Sequence, residues 1–138
     1  MTWFWFALLS AVFAALTSIF AKLGVDNVNS NLATAIRTLV IVIFSWFLVF
    51  FRKDFSDINN LSKHSVLLLI LSGLSTGISW LFYFRALQLG SVSKVAPVDK
   101  LSLALAVVFG ALFLGEKITL RIALGIVFVV LGVVLVAI

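Results

Sequence analysis

The sequence predicts an all-α integral membrane protein whose five transmembrane helices form a single domain over residues 1–138. Of its 138 residues, 64% are hydrophobic and 11% are charged, and the mean hydropathy is +1.30. A soluble domain needs far more polar surface than this composition supplies. The apolar residues also come in runs of about 20, which is the length of a helix that crosses about 30 Å of hydrocarbon. We therefore expect lipid to surround most of the chain.

The first span is predicted at residues 2–21, which carry no charge. The amino-terminal residues Met1–Trp5 lack the basic segment of a signal peptide, so we expect the first span to be permanent. A polar turn follows at residues 22–31 and contains helix breakers. The second span is predicted at residues 32–51, with Ser30 or Asn31 as its N-cap.

The longest polar stretch covers residues 52–65. Within it, Phe55, Ile58 and Leu61 recur at every third position. This spacing predicts a short amphipathic turn that lies on the membrane surface.

Three more spans are predicted at residues 66–89, 92–115 and 119–138. Gly90 separates the third from the fourth, and Gly115-Glu116-Lys117 ends the fourth. We expect no further domain after the fifth span.

Several classes of function are excluded by residue content. The chain has no cysteine, one histidine and five acidic residues, and no nucleophile–base pair or metal-ligand spacing is evident. We therefore predict no enzyme activity, no metal and no cofactor. The net charge is +5, but the cations are scattered at helix ends, so we predict a lipid bilayer and not nucleic acid as the partner.

Charged residues inside the spans are the most informative feature, because such charge costs several kcal/mol unless it is paired or hydrated. Arg37, Arg85, Asp99 and Lys100 all fall about 7–11 Å below one membrane face at about 1.5 Å per residue. One interpretation is a shared polar site for anionic or zwitterionic solutes. The other is that the cations reach outward to lipid headgroups, with Asp99 neutralising one of them.

Pro97 is predicted to break the fourth helix, because it cannot donate to the carbonyl of Ser93 and broken helices usually line cavities. Alternatively, Pro97 occupies the first turn of a helix that starts later. Trp80 and Tyr83 in the third span are candidate ligand-binding aromatics, although such residues more often face lipid or pack in the core.

Small residues predict close contacts between helices. Gly73 and Gly77 form a small-xxx-small pair in the third span. Gly125 and Gly132 are seven residues apart on one face of the fifth span, which favours association between subunits.

Five spans place the two chain ends on opposite sides of the membrane. Loop cations number five on the amino-terminal side and two on the other, which favours a cytoplasmic amino terminus. Adding the three cations within the spans gives five against five, so insertion in both orientations stays open. The predicted location is the plasma or inner cell membrane.

Four segments together resemble a known family. The segments are Ser30–Thr38, Trp80–Gly90, Lys94–Ser102 and Phe113–Thr119. They resemble the EamA-type domain of the drug/metabolite transporter superfamily over nearly the whole chain. Larger members carry two inverted five-helix repeats, so the resemblance implies a half-size transporter that works as a homodimer, either antiparallel or parallel.

Span five also resembles the glycine-spaced dimerisation helix of small multidrug resistance proteins. Those proteins use a glutamate in the first helix to exchange protons for cationic drugs, and span one here has no acid. That mechanism is therefore not carried over. Glu116 matches a family motif, and we interpret it as a structural contact.

The sequence therefore predicts a secondary transporter that exports a small polar, zwitterionic or anionic metabolite by alternating access. The main alternative is a non-transporting structural or accessory membrane subunit, in which charge pairs only set the register of the helices. A channel is less favoured, since no ring of like side chains defines a filter.

Overall fold

A computed structural model describes residues 2–138, with side chains at all of these positions except 56, 57 and 59. The elements are α1 (Thr2–Val25), α2 (Ser30–Arg52), a 3₁₀ helix (Asp54–Asn60), α3 (Lys63–Leu89), α4 (Val92–Asp99), α5 (Leu101–Leu114) and α6 (Leu120–Ala137). Five helical segments are long and apolar enough to cross a membrane, and α4 with α5 forms the fourth. The predicted five-span, all-α fold is confirmed.

The first helix is longer than its uncharged run. The sequence predicted an end at residue 21, whereas α1 continues through Lys22 to Val25. The ammonium of Lys22 donates to the carbonyl of Leu87 at 2.7 Å and pairs with Asp26 at 3.2 Å. A lysine with two such partners can remain in a helix, so the charge of Lys22 does not mark the end of α1.

The N-cap of α2 is Asn29, so the prediction of Ser30 or Asn31 is wrong. The side chain of Asn29 accepts a hydrogen bond from the backbone N–H of Asn31 at 2.9 Å, and its backbone is extended (φ −55°, ψ 133°). Residues 29, 30 and 31 are all good capping types, and the backbone angle decides which one serves. Similarly, the Ser62 hydroxyl accepts from the N–H of Ser65 and starts α3 earlier than predicted.

The loop after α2 folds as the 3₁₀ helix, in which residues three apart lie on one edge. The ring of Phe55 stacks on Trp46, with centroids 6.1 Å apart, and meets Phe50 edge-on at 6.2 Å. Lys53 joins this element to α2 with a left-handed backbone, φ 60°. The predicted amphipathic turn therefore packs against the end of α2.

The fourth crossing is interrupted at Lys100, three residues after Pro97. Helix α4 begins at Val92 and passes through Pro97, so the alternative of a first-turn proline is wrong. The N–H of Lys100 donates to the carbonyl of Pro97 at 3.0 Å, which is a tightened turn. Because Pro97 has no N–H, the carbonyl of Ser93 in the first turn of α4 lacks the donor that a helix normally supplies four residues later.

The helices form two compact units, and Ala21–Gln88 is one of them. Its buried core lies where the end of α1, the start of α2 and the end of α3 meet. Its members are Val25, Thr34, Phe84 and Leu87, each at most 8% exposed. Burial is concentrated there because most other apolar side chains of α2 and α3 are exposed, as expected for surfaces that face lipid.

The other unit comprises the residues up to Phe20 together with Leu89–Ile138. In it, α6 packs against both α4 and α5, and Val133 of α6 is buried. Helix α5 ends at Gly115, whose φ of 68° suits glycine. The N–H groups of Gly115 and Glu116 both donate to the carbonyl of Gly110.

Candidate functional site

In the unit Ala21–Gln88, Arg37 lies against two aromatic rings of α3. Its guanidinium carbon is 4.3 Å from the centroid of the Trp80 ring and 5.4 Å from that of Phe84. Both distances are within the range of cation–π attraction. Phe84 is almost fully buried, so one side of this arrangement is fixed by the core. Trp80, predicted as a ligand-binding aromatic, is thus a partner of Arg37.

Stacking constrains what Arg37 can bind. A guanidinium is planar, and its five N–H donors project from the edge of the plane. The two rings approach the guanidinium carbon, whereas carboxylates bind at the edge. Arg37 is half-buried, so this edge can meet an anion in a partly desolvated setting, where the attraction is stronger than in water.

Tyr83 and Arg85 flank Phe84 on α3. The ring of Tyr83 is 6.3 Å from that of Phe84. Arg85 donates from Nη1 to Oε1 of Gln88 at 3.2 Å. Arg85 is exposed, and a hydrogen bond at an exposed site contributes little to stability.

Gln88 and Lys22 connect α3 to the end of α1. The sequence analysis predicted this role for neither residue. The Gln88 amide donates to the carbonyls of Val25 at 3.1 Å and Val28 at 2.6 Å. Lys22 donates in the opposite direction, to the carbonyl of Leu87. One signal was available: Gln88 is the chain's only glutamine and the only side-chain amide in a predicted span.

In the other unit, Asp99 and Lys100 form an ion pair of 3.2 Å at the junction of α4 and α5. The two side chains are 34% and 51% exposed. The junction faces a groove of about 820 Å³ between α1 and the start of the fourth crossing. Pro97 and Lys100 line this groove, as expected for a broken helix at a cavity.

The predicted site residues therefore fall into two groups. Arg37 lies with Trp80, while Tyr83 and Arg85 are its neighbours along α3. Asp99 lies with Lys100 beside Pro97. A single cluster of all four charged residues would join the two units and stays a prediction.

The two glycines of α6 that are predicted to contact a second subunit have open space around them. Gly125 and Gly132 are both exposed. A Cβ built on either would have no described atom of another element within 4 Å. Val133 is the buried residue of α6, and Ala123, Ile126, Val129 and Val130 are half-buried. The face with the two glycines is thus open to lipid or to a second chain.

Comparison with known proteins decides the family. Residues 1–138 match the EamA-like transporter family. The chain belongs to the EamA-like transporter family. The resemblance found in the sequence is thereby confirmed, and the chain is a multi-pass membrane transporter.

Two relatives carry transporter names. One from Sinorhizobium sp., "Uncharacterized transporter in cobO 3'region", is 48% identical over 137 residues, which cover 99% of this chain and 97% of the relative. The "Uncharacterized transporter YvbV" of Bacillus subtilis (strain 168) is 29% identical over 130 residues, covering 94% of this chain. The match covers 43% of that second relative. No solved structure matches the chain.

Proposed function

We propose that this EamA-like chain is a secondary transporter that exports a small zwitterionic or anionic metabolite. The observation that carries the proposal is the stacked guanidinium of Arg37 inside a membrane-spanning helix. An intramembrane cation is expensive to keep and is therefore a candidate functional group. A guanidinium stacked on rings is already oriented, so binding a carboxylate costs little further ordering.

Asp99 and Lys100 are proposed to act on the same solute in a second step of alternating access. Their ion pair lies at a helix interruption beside a groove. Interrupted helices in transporters place backbone and charged groups at solute sites. A charged group of a solute can exchange with either partner, because the charge that remains is then still paired within the membrane.

The proposed working unit is a homodimer that contacts through the glycine face of α6. Exposed Gly125 and Gly132 support close approach of a second helix, since lipid gives no hydrophobic drive and association depends on tight packing. The coverage of the Bacillus relative also supports a homodimer, because the match to this five-helix chain covers only 43% of that longer protein. A cytoplasmic amino terminus is proposed from the loop cations, and the antiparallel arrangement from the balanced count that includes the three cations within the spans.

Transport by purified protein in liposomes tests the function. Efflux of a panel of labelled amino acids and monocarboxylates is compared with that of a labelled organic cation. We expect carboxylates to move and Arg37→Ala to reduce their flux at least about tenfold, the equivalent of one charge-assisted hydrogen bond. Arg37→Lys keeps the charge without the planar fork and should give an intermediate rate.

The matched control is Arg121→Ala, which removes an exposed cation at the start of α6. Its flux should equal that of the parent. Parental flux in Arg37→Ala, with the protein folded, would remove Arg37 from the mechanism. If no panel member is moved and none raises the thermal midpoint, the accessory-subunit alternative is favoured instead.

A further inference from the structure

The groove between α1 and the start of the fourth crossing has an unusual lining. Its α1 side consists largely of small residues, among them Ala7, Ser10, Ala11 and Ala14. The opposite side includes Pro97 and Lys100. Of all the residues that line it, Lys100 is the only one with an ionisable side chain. The groove is therefore largely apolar, and its one ionisable side chain is a cation that Asp99 pairs from outside the lining.

The dimensions fit a small organic molecule. The volume is about 820 Å³, within the range of about 300–1,000 Å³ that is typical of ligand sites. The α1 residues of the lining run from Ala7 to Ile19, or about 18 Å at about 1.5 Å per residue. An extended apolar body can lie along this length beside side chains that are mostly small, with Leu16 and Ile19 as the larger ones.

The charge of Lys100 selects the head group. Its present partner Asp99 does not line the groove, and their ion pair is partly exposed. A carboxylate in the groove supplies the same charge as Asp99, so it can share or replace that partner without leaving the ammonium of Lys100 unpaired. A cationic head in the groove would instead meet the ammonium of Lys100, because the partner acid Asp99 lies outside the lining.

We infer that this groove binds amphiphilic monocarboxylates, with the carboxylate at Lys100 and the apolar body along the small-residue face of α1. The inference rests on the proposed transport of anionic metabolites and narrows their class to acids with an extended apolar part. It also assigns Ser10 and Ala14 to the binding surface.

The test measures binding and not transport. Labelled octanoate, octanamide and octylammonium share one chain and differ in head group, and each is titrated onto the purified protein in phosphatidylcholine nanodiscs. Empty nanodiscs give the partition into lipid, which is subtracted. We expect saturable binding of octanoate that is at least about tenfold tighter than that of the other two, since a charge-assisted contact distinguishes them.

Four variants locate the site. Lys100→Ala and Ala14→Leu, which fills the trough, should each weaken octanoate binding about tenfold or more. Lys94→Ala removes a neighbouring cation and Ala106→Leu enlarges a residue of α5. Both of these residues lie outside the groove lining and serve as controls without effect. Thermal midpoints of all four variants verify that they are folded.

Three results would overturn the inference. They are equal binding of the three head groups, unchanged binding in Ala14→Leu, and loss of octanoate binding when phosphatidylglycerol replaces part of the bilayer. The last would assign the groove to membrane lipid. These results concern the groove and Lys100, whereas the role of Arg37 in transport is judged separately by flux.

Discussion

Gln88 offers a quantitative test of how the end of α3 is held to α1. In Gln88→Leu, the size of the side chain is kept and both donors are lost. The carbonyl of Val25 retains the N–H of Val28 as a donor at 3.3 Å, whereas the carbonyl of Val28 loses its short 2.6 Å partner. Net contributions of about 0.5–1.5 kcal/mol per hydrogen bond, with membrane averages near 0.6, predict a loss of about 1–2 kcal/mol.

The assay is reversible unfolding of the purified protein in mixed detergent micelles of increasing dodecyl sulfate content, followed by circular dichroism. A loss of this size raises the unfolding equilibrium constant about 5–30-fold. Arg85→Ala is the control, since it removes only the exposed bond to the Gln88 carbonyl, and should cost less than about 0.5 kcal/mol. A Gln88→Leu variant within about 0.5 kcal/mol of the parent would refute the assigned role of these hydrogen bonds.

Two further predictions concern left-handed backbone positions and use the same unfolding assay. Gly115→Ala should destabilise the protein by about 1–2 kcal/mol, because φ is 68° there. The control is Gly73→Ala in α3, where a Cβ meets nothing within 4 Å, and it should cause no loss of stability. Equal losses in the two variants would contradict the role of φ. Lys53→Gly should stabilise the protein by about 0.5–1 kcal/mol, since a non-glycine residue holds a φ of 60° there. Lys53→Ala removes the same charge but keeps the backbone strain, so it should not increase the stability.

The membrane-spanning helices could be predicted because lipid imposes a simple rule on composition and length. Helix ends were less predictable. The sequence ended the first span at residue 21 because Lys22 is charged, yet hydropathy does not register that the ammonium reaches the Leu87 carbonyl. Likewise, Asn29 caps α2 because of its backbone angles, which composition does not specify.

The candidate site was predictable in its residue types and less so in its contacts. Intramembrane charge singled out Arg37, and its partner Trp80 was named separately as an aromatic on the third span. Their contact depends on the relative rotation of α2 and α3 about their axes, which a single sequence does not give. Gln88 was missed because a neutral amide carries little weight in a search based on charge, although it was the only one in a span.

The hydrogen bonds between α1 and α3 join side-chain donors to backbone acceptors, which determines the positions at which substitutions are tolerated. Lys22 and Gln88 supply the donors, whereas every acceptor is a backbone carbonyl. A carbonyl is present whatever the residue, so substitutions at Val28 leave the bond intact, and those at Val25 and Leu87 are limited only by the space that these buried side chains fill. These hydrogen bonds thus constrain the identities of Lys22 and Gln88, whereas the residues that supply the acceptor carbonyls can vary in side-chain chemistry.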